Sequence, residues 1–244
     1  MRRQSGILTS TLAIDQQHGE VAMTTTRAYS LRLLTLAGLA LGIWAIGLNV
    51  TALADDAEQW DQKKMELHST TFTDGGVLPI SMIFESPNAQ GINACSIDGS
   101  PGGNTSPELS WTNAPRGTKT FAVVLYDTTA AFTHWGIYNI SRERRELPAN
   151  AGAPTSTFGQ QIENDFFLGT NGYDGPCPPA VQPSVHHYVF TVYALDTSLE
   201  LKGSANFPAA AETLYHALIS AGRDGHILAS ASITGLYSIV APAD

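Results

Sequence analysis

The chain has 244 residues, 43% of them apolar and 14% charged, with a net charge of −9. An acidic surface repels polyanions, which excludes general nucleic-acid binding and docking on anionic lipid headgroups. The two cysteines and the dispersed histidines form no zinc-site spacing either.

Residues 1–22 carry no periodic pattern, and Met23 sits just ahead of a basic stretch, so translation is expected to start there. Arg27 to Arg32 is basic and free of acid, and Leu33 to Val50 is almost wholly apolar. Ala52-Leu53-Ala54 then offers small residues at the two positions a signal peptidase reads, before Asp55-Asp56. This is the order of a secretory signal. The apolar run is nearly long enough to span a bilayer, so an uncleaved anchor is the alternative for 23–54. No cysteine stands at its end, which removes a lipoprotein reading. The folded part is therefore expected to be periplasmic or secreted, or anchored with the domain outside the cytoplasm, and the mature form to carry no membrane span. Losing 1–54 removes four of 13 basic and two of 22 acidic residues and leaves −11.

The remaining 55–244 suits one domain, with a core at about 67–240. Strand-like runs lie at Met82–Phe84, Leu109–Trp111, Phe121–Tyr126, Trp135–Ile140 and Tyr188–Leu195, rich in β-branched and aromatic residues and bounded by Gly, Pro, Asn and Ser. Ala89–Asn104, with its glycines, asparagines and single proline, predicts an extended loop. Pro208 suits a first helical turn, Ala209–Ala221 follows, and Gly222 fits the position just past a helix end. Leu214 and Leu218 give that helix an apolar face, widened by Tyr215 and Ile219. A last strand is predicted within Ile227–Tyr237. The fold class is mainly β: an antiparallel Greek-key sandwich with a C-terminal helix and short peripheral helices.

Ionisable groups gather at strand ends. Asp127 closes an apolar strand on the face of Phe121, Val123 and Leu125; it reads as a turn former or as a pocket group. His134 opens the next strand. Gly175-Pro176-Cys177-Pro178-Pro179 is a stiff turn whose prolines lack amide donors and present carbonyls. It leads to His186-His187-Tyr188, where alternation puts His186 and Tyr188 on one face and His187 on the other. Cys95 and Cys177 are either a disulfide, as an even count in an oxidising compartment suggests, or two buried thiols. Arg142, Arg144 and Arg145, interleaved with Glu143 and Glu146, read as a self-paired loop.

Asn104-Thr105-Ser106-Pro107-Glu108-Leu109-Ser110-Trp111, Tyr126-Asp127, His134-Trp135-Gly136-Ile137-Tyr138-Asn139-Ile140, Gly172-Tyr173-Asp174-Gly175-Pro176-Cys177-Pro178-Pro179, His186-His187-Tyr188 and Val192-Tyr193-Ala194-Leu195-Asp196 follow one another in an order that resembles the phosphatidylethanolamine-binding protein family, in its bacterial Raf kinase inhibitor-like branch. The resemblance runs from about Leu67 to Tyr237. It implies a large antiparallel sandwich and a pocket made by Asp127, His134, Gly175, Pro176, His186 and Tyr188. Where the family has Asp-Pro-Asp-Ala-Pro, this chain reads Asp127-Thr128-Thr129-Ala130-Ala131, without the second acid or the prolines. The expected function is binding of a small anionic or zwitterionic ligand, phosphate or a phospho-headgroup, without cofactor, metal or catalysis. A surface-acting extracytoplasmic interaction module or hydrolase inhibitor is the alternative, and a protein partner or a homodimer is left open. A hydrolase is disfavoured because no Gly-x-Ser-x-Gly elbow is present; a metal hydrolase would need Asp127, His134 and His186 to converge.

The leader gives a direct test. N-terminal sequencing of the protein from its native envelope is expected to begin at Asp55, and a mature start upstream of Leu33 would sink cleavage after Ala54.

Overall fold

A computed structural model describes residues 63–182, 184–201 and 209–240. The leader, the cleavage site and Pro208 lie outside the described residues. Eight strands and one α-helix follow in chain order: β1 (Glu66–His68), β2 (Leu109–Thr112), β3 (Thr120–Asp127), β4 (Phe132–Ser141), β5 (Glu146–Leu147), β6 (Gln160–Gln161), β7 (His186–Leu195), α1 (Ala211–Arg223) and β8 (Ile227–Tyr237). They form an antiparallel three-stranded sheet, β1-β2-β5, and an antiparallel five-stranded sheet, β6-β4-β3-β7-β8. Within the larger sheet β3, β4 and β6 are neighbours in sequence order, and β7 returns by a long connection to lie beside β3. That is the Greek-key order.

Alternation along β3 explains the layers. Phe121, Val123 and Leu125 join Leu67, Leu109, Trp111, Trp135, Phe190 and Val192 in the core between the sheets. The intervening Ala122 and Val124 face Leu214, Leu218 and Ala221 of α1 on the other side of the larger sheet. Burying each large side chain stabilises the fold by roughly 1.5–3 kcal/mol. The Trp111 and Phe121 rings meet at 5.0 Å, joining the two sheets. Gly136 lets the helix approach: a Cβ there would come within 2.5 Å of Leu214 Cδ2 and 2.7 Å of Ile162 Cδ1.

The helix differs from expectation at its end and on its flank. It runs through Gly222 to Arg223, and the left-handed residue that ends it is Gly225, at φ +79°. His226 N–H then donates to the Ala221 carbonyl at 2.8 Å, closing the last turn. Only Ala211, Leu214, Leu218 and Ala221 are buried. Tyr215 and Ile219 are 64% and 44% exposed, so they border a groove of about 690 Å³ beside the sheet instead of widening the packed face. Among the described residues no helix is long and apolar enough to cross a membrane.

Met82–Phe84 is not a strand. Ile80–Met82 forms one 3-10 turn after Pro79, with Ile83 N–H donating to Ile80 O at 3.1 Å. The run is apolar because Met82 and Ile83 are fully buried, and a short continuous apolar run has no period to reveal its conformation. β1, β5 and β6, of two or three residues, were likewise too short to show a pattern. Residues 89–104 form a loop, pinned by a disulfide between Cys95 and Cys177 whose Cα atoms are 4.6 Å apart.

Two stability measurements check this packing by urea unfolding. Leu214→Ala is expected to cost about 2–5 kcal/mol and Tyr215→Ala at most about 0.5 kcal/mol. Replacing Cys95 and Cys177 by Ser is expected to cost about 2–4 kcal/mol, and reduction of the wild type to match that loss.

Candidate functional site

Asp127 ends β3 in the middle of the larger sheet, paired by register with Tyr188 on β7 and Phe132 on β4. The sequence offered it as turn former or pocket group; it forms the turn, and its second oxygen meets a buried imidazole. Oδ1 accepts from Thr129 N–H (2.8 Å) and Ala130 N–H (3.2 Å), holding the β3–β4 turn. Oδ2 lies 2.6 Å from His186 Nδ1, with both side chains buried. A carboxylate accepts, so Nδ1 carries the proton. At Ala131 the turn has φ +54°, which proline cannot adopt, so this loop follows a path that the family's Asp-Pro-Asp-Ala-Pro pattern does not allow.

His134 reaches the same face through a bulge. Leu125 pairs with Trp135 and Tyr126 with Thr133, leaving His134 as the extra residue on β4. Strict alternation would send it to the face opposite Trp135. The bulge turns its ring toward Tyr188, with centroids 5.3 Å apart. His134 Nδ1 is 2.9 Å from the Asp174 carbonyl and must donate to it, so a second proton would go to Nε2. Burial pushes this imidazole below the ordinary 6.5, against the opposing pull of the Asp174 carbonyl and the Asp127 charge.

Tyr188 is fully buried, its ring near-parallel to His186 at 6.3 Å. Its hydroxyl has no hydrogen-bond partner among the described residues. Burial first, and the Asp127 charge second, raise its pKa, so it stays a donor. The other such buried donor is Trp111 Nε1, in the apolar core. His187 is exposed, as alternation requires, and its backbone ties β7 to the turn: Thr128 N–H donates to His187 O at 3.0 Å, and His187 N–H to Thr129 Oγ1 at 3.0 Å.

In the 175–179 turn one carbonyl is turned inward. The Pro176 carbonyl accepts from Phe84 N–H at 3.1 Å, and Gly175 N–H donates to Asn104 Oδ1 at 2.7 Å. A Cβ on Gly175 would lie 1.9 Å from the Met82 carbonyl, so only glycine fits. Gly175 and Pro176 therefore dock the loop behind His134, and their hydrogen bonds point into the protein. Asp127, His134 and His186 do not gather as a metal-holding group.

Several residues around the pocket were not singled out from the sequence. Asp174 is buried with Oδ1 held by Asn104 Nδ2 (3.0 Å) and Oδ2 by Asn164 Nδ2 (2.8 Å). Phe84, Phe132 and Phe166 cluster beside His134. Asn104 and Asp174 stood inside the resembling motifs, and Phe132 stands two residues before His134. Phe84, Asn164 and Phe166 come from loops that only the tertiary fold brings near, and no local pattern marks them.

The family model described as phosphatidylethanolamine-binding protein matches residues 68–238. The UPF0098 protein YbhB of Escherichia coli is 34% identical over 182 residues, covering 71% of this chain and all of YbhB. The UPF0098 protein YbcL of the same organism is 38% identical over 149 residues, 58% of this chain and 75% of YbcL. The crystal structure of YbcL, described as a new member of the mammalian PEBP family, superposes with a TM-score of 0.57 at 31% identity, covering 72% of this chain and 99% of that one. With the sandwich, the order of motifs and the matched length in accord, the chain belongs to the phosphatidylethanolamine-binding protein family.

Proposed function

We propose that this protein is an exported binding protein for a small anion, phosphate or a phospho-headgroup, held where β3, β4 and β7 end. The observation that carries this reading is the buried, unpartnered hydroxyl of Tyr188, whose ring contacts two imidazoles with Nδ1 atoms already committed. An unmet buried donor costs about 1–3 kcal/mol, which an acceptor arriving at the site would return. Each imidazole can add a donor on protonation of Nε2. Asp127 orients His186 in this scheme; both of its oxygens are engaged, which argues against its meeting a cationic part of the ligand. With so few contacts the affinity is expected in the micromolar to millimolar range. Among the described residues no hydroxyl or thiol is hydrogen-bonded to His134 or His186, which favours binding over hydrolysis. Export rests on the basic-apolar-small order of residues 27–54. A surface-acting role is the alternative, favoured by the exposed Tyr215 and Ile219 beside α1.

Calorimetry with phosphate and with sulfate, whose charge is constant over the histidine range, tests the pocket. His134→Ala and His186→Ala are each expected to weaken binding by about 1–3 kcal/mol, and His187→Ala to change little. Tyr188→Phe is expected to weaken binding while leaving stability equal or higher, since it removes the unmet donor. Sulfate affinity should rise as pH falls, because the anion favours a charged His134, and since burial lowers the pKa of the free imidazole the gain should be complete only below 6.5. The ligand-free fold should lose stability over the same descent, as the unfolded chain binds the proton that buried His134 resists. No binding by wild type at millimolar ligand, or equal losses at His134, His186 and His187, would put the surface-acting role ahead.

A further inference from the structure

Besides Tyr188, the His134 ring meets two apolar rings. Phe132, at the start of β4, meets the imidazole at 4.9 Å, and Phe166, in the loop after β6, meets it edge-on at 5.4 Å. Phe166 also stands edge-on to Phe132 at 4.9 Å and lies flat against Phe84 at 4.8 Å with an interplanar angle of 11°. The three rings come from separate segments. All three remain partly exposed, whereas Phe121 and Phe190 of the core are fully buried. A half-wet aromatic wall that shares an imidazole with a polar pocket offers nothing to a bare phosphate. It does offer offset or edge-on contact to a flat ring attached to the anion. Several carboxylates near these rings already accept hydrogen bonds, which weakens their hold on a cationic substituent. Asp165 Oδ2 accepts from Thr133 N–H at 2.7 Å, and both oxygens of Asp174 and of Asp127 are engaged.

We propose that the anion this pocket takes carries an aromatic substituent, which the wall of Phe84, Phe132 and Phe166 covers while Tyr188 and the imidazoles hold the charged end. This rests on the anion-binding reading above and specifies its ligand class.

Calorimetric titration of the full chain with methyl phosphate, phenyl phosphate and phosphocholine separates the cases. Phenyl phosphate is expected to bind about tenfold more tightly than methyl phosphate, a preference worth about 1.4 kcal/mol. Phe166→Ala, and Phe166→Leu as a variant that keeps apolar volume, should bring that ratio close to one. Tyr215→Ala, on the far side of the sheet, should leave it near ten. Equal binding of the two esters by wild type, or a ratio that survives both Phe166 variants, overturns the proposal and leaves the rings as loop packing. A gain confined to phosphocholine overturns it in favour of cation recognition. Failure of all three ligands to bind instead defeats the anion reading on which it stands.

Discussion

The buried Asp127 carboxylate is shared between a turn and a ring, and the site takes its shape from that sharing. One oxygen holds the backbone amides of residues 129 and 130, and the other holds His186 on the neighbouring strand. Removing the carboxylate would leave the buried His186 Nδ1–H without its acceptor, which typically costs about 1–3 kcal/mol. Losing Asp127 would therefore free the β3–β4 turn and the start of β7 together. Those two pieces are already joined by the backbone bonds between His187 and residues 128 and 129. Ring orientation, tautomer and turn geometry are thus one coupled unit.

Behind His134 a second unit fixes the loops. Tyr173 donates its hydroxyl to the Met82 carbonyl at 2.9 Å, and the same carbonyl faces the missing side chain of Gly175. Asn104, at φ +41°, reaches Asp174 with its amide nitrogen and Gly175 with its amide oxygen. Asp174, whose carbonyl accepts the His134 hydrogen bond, is therefore held through its carboxylate by the side-chain amides of Asn104 and Asn164. Strand residues and loops enclose Tyr188 and the two imidazoles, and Asn104, Asn164 and Asp174 in those loops satisfy one another.

The long strands were readable because alternation is a local property: β3, β4, β7 and β8 lie where the apolar runs placed them, and His186, His187 and Tyr188 point as a period of two requires. The Greek-key sandwich followed from strands separated by long polar segments. Features set by tertiary contact were hidden. Gly222 looked like a stop, yet the helix ran two residues further, to Arg223, with Asp224 N–H still bonding backward to Ser220 O before Gly225. Ile219 and Tyr215 looked like core, but the sheet offers the helix only the narrow stripe of Leu214 and Leu218. The bulge that redirects His134 leaves no mark in the residue pattern, so its position came from family resemblance and its orientation from the fold. Phe84 read as the end of a strand and Phe166 as an ordinary loop residue until the chain closes around them.

The disulfide has a topological consequence. Cys95 and Cys177 are 82 residues apart, and the ring they close contains β2, β3, β4, β5 and β6, while β1, β7, α1 and β8 lie outside it. A pull on the two ends of the chain can strip β8 and β7 from the sheet edge, but the tension then passes through the sulfur bridge and bypasses the enclosed strands. The hairpin that carries Asp127 and His134 is mechanically shielded in the oxidised protein. His186 and Tyr188 belong to the part that tears away first. Under load the pocket would come apart along the line between its two imidazoles.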